Sequence, residues 1–241
     1  MLSKNNGPPR MPLPAVNRLI NRLPRGERPN VMARCEPVEL SFGTVLCEAL
    51  KPIQYVYFPV TGVISLVKPL VHHEPLETEQ IGSEGMLGAT LAMGVEVAPL
   101  RGVVQGSGTA LRMTTAELQS SIQDSPALLA LLQRYLYVTM MKLSQTIACT
   151  RFHNVAARLA HGLLMTHDQV HRDHFHLTHQ FLADLLGVQR GAVTIAAGIL
   201  QQKRIIHYTR GEITILDRKA LEAESCECYG AFVSNYTRFL S

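Results

Sequence analysis

Between Thr178 and Arg204 the apolar positions follow a helical period. Phe181, Leu182, Leu185 and Leu186 share one face of a short helix. Gly187 follows, where a chain leaving a helix can take positive φ without steric cost. A second helical period runs through Val193, Ile195, Ala196, Ile199 and Leu200. Helices joined by so short a turn must cross steeply, and Ala183 offers the small side chain that such an approach needs. The pattern predicts a helix-turn-helix whose second helix presents Gln189, Arg190 and Thr194 near its start. These side chains can bond base edges or phosphates. Two β-rich runs follow, Ile205-Ile206-His207-Tyr208 and Ile213-Thr214-Ile215-Leu216, and the Arg210-Gly211 pair between them predicts a tight hairpin. Together these elements make a winged helix, with Arg210 at the wing tip for a phosphate contact.

Upstream the pattern changes to short β-rich runs separated by Gly and Pro. They are Val38-Glu39-Leu40, Tyr55 to Phe58, Val63 to Val67, Glu77 to Ile81, Gly102 to Gln105 and Ala110 to Met113. Such spacing predicts an antiparallel sandwich or small barrel. Thr114 and Glu117 make a capping box for a short helix, and Ser125-Pro126 opens a longer one. Within it Leu129, Leu132, Leu136, Met140, Leu143 and Ile147 recur at steps of three and four. This is a heptad seam of about three repeats, fit for pairing with an identical helix. The same stripe could instead pack onto its own β domain. A further helix is expected over Val155 to Met165, and one more over Arg218 to Leu240 with Leu221, Tyr229, Phe232, Tyr236 and Phe239 inward.

Residues 1–30 are rich in Pro, Asn and Arg and are expected to be weakly ordered, save for a short helix through Val16, Leu19, Ile20 and Leu23. The reading divides the chain into that segment, a β-barrel at 31–124, a dimerisation helix at 125–151, a winged helix at 152–217 and a C-terminal helix at 218–241. The fold class is α+β. At 241 residues the chain can bury two small cores. No stretch is apolar enough to span a bilayer, and no signal peptide opens the chain, so a cytoplasmic protein without a membrane partner is expected. Five cysteines, odd in number and mostly far apart, argue against a disulfide framework. The net charge of +4 decides little; between Thr178 and Arg210, however, Arg190, Lys203, Arg204 and Arg210 face Asp184 alone.

Barrel, long helix and winged helix in this order resemble the Crp/Fnr superfamily, over about residues 38–217. The resemblance is carried by YVYFPVTGVISLV at Tyr55 to Val67, GSEGMLG at Gly82 to Gly88, and the segment Leu177 to Ile206. It implies a jelly-roll barrel of the cyclic-nucleotide-binding type ahead of a dimerisation helix, with a winged helix that enters the major groove. It also implies a homodimer that regulates transcription on a double-stranded operator, controlled by a signal at the barrel, with RNA polymerase as a further partner. By position, Gln189, Arg190, Gly191 and Thr194 open the recognition helix, with Arg190 as the base reader. Gly191 stands where an acidic residue commonly follows. Thr178, His179 and Gln180 are candidates for phosphate contact, as are Lys203, Arg204 and Arg210.

The effector site departs from the pattern. Gly85-Met86-Leu87-Gly88 occupies the turn that holds the cyclic nucleotide in relatives, so the ribose-binding Glu becomes Met86, which cannot accept a useful hydrogen bond. Arg101 followed by Gly102 would stand for the phosphate-binding pair, and Leu143 with Ser144 for the adenine contact. Recruiting Glu84 as the acid breaks the glycine spacing. The barrel is retained, while cyclic AMP is not expected as the effector.

The histidines from His167 through His171, His174 and His176 to His179 read by default as solvated loop residues, with a metal site as the alternative. Cys226-x-Cys228 supplies only two thiols. Cys35 with Cys47 does not reproduce the cysteine cluster of iron–sulfur relatives, and nothing beyond His72 or His73 suggests haem. No metal or cluster is expected. Neither a nucleophile elbow, nor a phosphate loop, nor a metallopeptidase helix is present, so an enzyme is not expected. The competing reading is a cyclic-nucleotide-type regulatory module that acts on protein partners without DNA.

Overall fold

The computed structural model describes residues 17–72, 75–170 and 172–240. Val16, His73 and His171, named above, lie outside the described residues. The β-rich runs form β1 (Glu36–Leu40), β3 (Tyr55–Pro59), β4 (Val63–Lys68), β5 (Leu76–Ile81), β6 (Arg101–Gly106) and β7 (Gly108–Thr114), with an additional short β2 (Val45–Cys47). Three residues are too few to show an alternation, which is why β2 escapes a sequence reading. The strands make two antiparallel sheets, ordered β1-β7-β3 and β2-β6-β4-β5. Phe58 pairs with Leu111, and Ile64 with both Ile81 and Val104. Leu40, Tyr57, Ile64, Ile81, Leu87, Val104 and Ala110 form one buried cluster within this β domain.

The chain ahead of β1 departs from expectation. Residues 17–30 are not weakly ordered: a 3-10 turn at Ile20–Arg22 and α1 (Arg28–Ala33) pack onto the barrel. Leu19, Ile20, Leu23 and Val31 join the main core. Asn17 is wholly buried; its Nδ2 donates to the carbonyls of Pro59 at 2.8 Å and Gly85 at 2.9 Å. The short helix expected through Leu19, Ile20 and Leu23 appears as this 3-10 turn, whereas the ordered packing extends beyond it to Val31.

The capping box predicted for α2 (Thr115–Asp124) is formed, with Thr114 Oγ1 accepting from the Glu117 N–H at 3.2 Å. Ser125 caps α3 (Pro126–Phe152) through the N–H of Leu128 at 3.0 Å. Along α3 the heptad reading needs correction. Leu132 is fully buried against the chain's own barrel, beside Leu128, Leu131, Tyr135 and Val138. Leu136 is half-buried on that same core, and Leu129 is half-buried. Met140, Leu143 and Ile147 are exposed, with Tyr137 and Met141 beside them. The barrel therefore takes the first half of the seam, since a helix 27 residues long outruns the domain it packs on.

The C-terminal region contains α4 (Val155–Val170), β8 (His174–His176), α5 (His179–Leu186), α6 (Arg190–Gln202), β9 (Ile206–Thr209), β10 (Glu212–Ile215) and α7 (Arg218–Glu224). These share a second core that includes Leu159, Leu163, Leu182, Val193, Leu200, Ile213 and Leu221. The single helix expected from Arg218 to Leu240 is broken at Ser225, where the backbone is extended. Beyond the break α8 (Glu227–Leu240) returns to the first core, where Tyr236 and Leu240 are buried and Phe232 and Phe239 half-buried. Tyr236 Oη donates to the Glu84 carbonyl at 2.6 Å. No single described helix is long and apolar enough to cross a membrane.

Candidate nucleic-acid interface

The turn between α5 and α6 is built as its residues dictate. Thr178 caps α5 by accepting from the Phe181 N–H at 3.1 Å, and Gly187 closes it at φ 60°. The axes of α5 and α6 then turn by 107°. Ala183 is enclosed where the domain's helices meet, and the Arg158 guanidinium of α4 donates to the Leu186 carbonyl at the end of α5. One buried cation thereby satisfies a carbonyl that α5 leaves without a partner.

Along α6 the buried stripe is Val193, Ala196, Ala197 and Leu200. Ile195 and Ile199, expected on the inner face, are exposed instead. Ala196 and Ala197 let α6 lie close to its neighbours, with Val193 and Leu200 filling the rest of the inner face, so Ile195 and Ile199 are left outside. The free face therefore carries Gln189, Arg190, Gly191, Thr194 and Ile195, all exposed. An apolar side chain among them suits a thymine methyl. Periodicity alone assigns Ile195 to the core, so its exposure is not legible in the sequence.

His179 ties three elements together. Its ring stacks on Tyr208 of β9 with centroids 4.1 Å apart. Thr194 Oγ1 donates to the Arg190 carbonyl at 3.1 Å, so His179 Nδ1–H donates to Thr194 Oγ1 at 2.9 Å. Burial and the nearby Arg190 lower its pKa below the usual 6.5, favouring neutral imidazole. Gln180 donates to Asp184 Oδ1 at 2.9 Å. Lys203 is drawn to the Glu224 carboxylate at 2.7 Å, so among the described residues it is the one of the four cations singled out that has a carboxylate partner. Arg204 is exposed with φ 57°, just before the wing. In the wing β9 and β10 pair from Thr209–Glu212 to Ile206–Ile215. Arg210 and Gly211 form the two-residue turn at φ 49° and 91°, as a type I′ hairpin requires.

Three histidines of the run face carboxylates. His167 meets Asp173 at 2.7 Å, and His174 and His176 both meet Glu212, at 3.1 and 2.8 Å. The last two lie on β8, a third wing strand beside β10 where the sequence predicts a loop.

The proposed effector turn is committed to the barrel. Met86 is buried and its N–H donates to Tyr135 Oη at 3.3 Å, while Leu87 exchanges backbone bonds with Tyr57 at 3.2 and 2.8 Å. A Cβ on Gly102 would lie 3.0 Å from Cys47 Sγ and 3.2 Å from the Leu87 side chain. Arg101 faces Glu48 at 3.4 Å. Glu84 accepts from the Gly82 N–H and from Gln169 Nε2 of α4, each at 3.1 Å. These groups are not gathered with Leu143 as the resemblance implies. Leu143 instead lines a cavity of about 820 Å³ walled by β5, the far half of α3, α4 and the end of α5. Ser144 is exposed and not among its lining residues.

In that cavity Glu79 and Lys142 form an ion pair at 3.5 Å. Burial pushes the Glu77 carboxyl up to about 7, against a hydrogen bond from Gln80 and the charge of Lys142. A raised carboxyl pKa stabilises the fold fully below about 4.5, and the contribution is lost as pH rises through about 7. Stability should therefore fall by about 2–3 kcal/mol between pH 5 and 8. Glu77→Gln should flatten that slope in thermal melts; an unchanged slope would remove Glu77 as its source.

Residues 157–224 match the family model of the Crp-like helix-turn-helix domain. No curated protein matches the chain. Among solved structures, FixK2 from Bradyrhizobium japonicum aligns with a TM-score of 0.69 at 14% identity, over 80% of this chain and 98% of that one. The c-di-GMP-responsive global regulator CLP of Xanthomonas campestris aligns with a TM-score of 0.65 at 15% identity, over 80% and 99%. A CRP/FNR-family transcriptional regulator from Thermus thermophilus aligns with a TM-score of 0.63 at 20% identity, over 79% and 98%. The chain carries a Crp-like helix-turn-helix domain within the fold shared by the Crp/Fnr regulators.

Proposed function

We propose that the protein is a homodimeric transcription regulator that places α6 in the major groove of an operator. The observation that carries this reading is the free face of α6. Gln189, Arg190, Gly191, Thr194 and Ile195 are exposed together, and the exposed Arg210 turn stands at the tip of the adjoining wing. Arg190 is the base reader, Gln189 and Thr194 assist it, and Arg204, Arg210 and the start of α5 position the phosphates. Thr178 and His179 contribute through the local fold as well, since both already anchor helix ends.

Pairing would use the part of α3 that the barrel leaves free, with Tyr137, Met140, Met141, Leu143 and Ile147 facing a second copy. The signal would act on the barrel half and reach α6 by a shift in population between two dimer arrangements. The cavity behind Leu143 touches both halves and is better placed for this than the Gly85–Gly88 turn. RNA polymerase joins as a partner by resemblance to the family.

Selecting bound DNA from a random pool tests the reading. The expected motif has two half-sites about one helical turn, 10–10.5 bp, apart. Arg190→Ala should reduce operator preference by about 1–3 kcal/mol, roughly 5- to 150-fold, with dimerisation unchanged. Equal preference in wild type and variant would overturn the assignment of Arg190. A pool without enrichment would favour the module that acts on protein partners.

A further inference from the structure

The two thiols of Cys226-x-Cys228, too few for a metal site by themselves, meet two residues from a distant part of the chain. Cys149 lies in the last turn of α3, and His153 is the residue at which α3 gives way to α4. Cys226 and Cys228 straddle the start of α8. Cys149 Sγ is 3.5 Å from Cys226 Sγ, and His153 Nδ1 is 3.5 Å from Cys228 Sγ. All four donor atoms lie within 4.8 Å of one another. The three cysteines are buried and free. Zinc bonds of about 2.3 Å to sulfur and about 2.0–2.1 Å to nitrogen, directed tetrahedrally, require donors roughly 3.5–3.8 Å apart. The spacing suits one ion held between them.

The surrounding groups are arranged for the same purpose. His153 Nε2 lies 3.1 Å from the Glu227 carboxylate. That contact places the ring proton on Nε2 and turns the bare Nδ1 toward the sulfurs, the carboxylate–histidine arrangement that orients a metal-bound imidazole. Gln145 Nε2 lies 3.1 Å from Cys228 Sγ, and His161 Nδ1 lies 3.9 Å from Cys226 Sγ. N–H groups beside sulfur offset the excess negative charge of three thiolates around a divalent cation. Ala157 packs against the cysteines and helps close the site to water.

We propose that Cys149, His153, Cys226 and Cys228 bind a single zinc ion. Soft thiolate ligands with one imidazole favour zinc over magnesium or calcium. The ion would join α8 to the junction of α3 and α4, the hinge between the barrel half and the DNA-reading half. Because α8 also packs on the barrel core through Tyr236 and Leu240, the clasp would fix both sides of that hinge. The site stands whether or not the chain reads DNA, since none of its ligands lies on α6 or the wing.

The test uses the full chain, purified without chelator from cells grown with added zinc. Elemental analysis should find about one zinc per chain in wild type and less than about a tenth in Cys226→Ser and Cys228→Ser. Cys35→Ser, outside the cluster, should keep its metal. Metal-free wild type titrated with cobalt should develop thiolate charge-transfer absorption and tetrahedral ligand-field bands. The cobalt titration needs no variant, so it decides the matter even if the serine variants do not fold. Folded wild type that binds neither zinc nor cobalt would overturn the proposal. So would a Cys149–Cys226 disulfide in the freshly isolated protein.

Discussion

Replacing Tyr236 by alanine is expected to lower folding stability by about 3–5 kcal/mol, the range for deleting a large buried aromatic side chain. Tyr236 is buried in the main core, its hydroxyl holds the Glu84 carbonyl at 2.6 Å, and the Arg22 guanidinium lies 5.0 Å from its ring centre. One side chain of α8 thus joins the segment ahead of α1, the turn after β5 and the long helix. Losing the ring leaves a cavity and an unpaired buried carbonyl. Tyr236→Phe keeps the ring and should cost only about 1 kcal/mol. Denaturant midpoints of the two variants measure both effects. A Tyr236→Ala loss under about 1 kcal/mol would show that α8 is not part of the barrel core.

The second large effect is expected at Ala183. Its methyl is enclosed in the core shared by α4, α5 and α6, and its carbonyl accepts the Val188 N–H at 3.0 Å in the turn that follows. Leucine adds three carbons where the helices already touch. Overpacking of this kind costs about 1–3 kcal/mol in a core that can shift, and more where a helix crossing is set by a small residue. Ala183→Leu should abolish operator binding by displacing α6 from α5. The barrel has its own core, so it should remain folded. Two separate transitions in calorimetry, with the first one lowered, would bear this out; unchanged operator affinity would contradict it.

What the sequence shows well is what neighbouring residues decide among themselves. Thr114 with Glu117, Ser125 with Pro126, and Arg210 with Gly211 mark boundaries that the structure reproduces, because caps and tight turns are made by side chains and dihedrals a few residues apart. The strand runs from Tyr55 to Val67 are equally legible, since short β-branched and aromatic runs broken by Pro59 and Gly62 signal strands locally. Periodicity tells which residues line up but not what they line up against. The seam on α3 is real as a pattern, yet Leu132 faces the barrel while Ile147 faces outward. On α6 the same ambiguity put Ile195 inside, although Val193, Ala196 and Ala197 fill that space.

The candidate sites show the division most clearly. Arg190, Thr194 and Arg210 could be named from sequence because the turn and the hairpin that present them are local. The departure at Met86 was also legible, being a single replacement within a short motif. Cys149 and Cys226 stand 77 positions apart, and no local spacing joins them. Their meeting depends on the break at Ser225 and on α8 folding back along α3. By itself, then, the sequence determined the order of elements, the caps and the residues that open α6. Tertiary packing decided which apolar faces were left free, where the cavity lies and which distant thiols share a site, because burial and ligand geometry are set by neighbours in space.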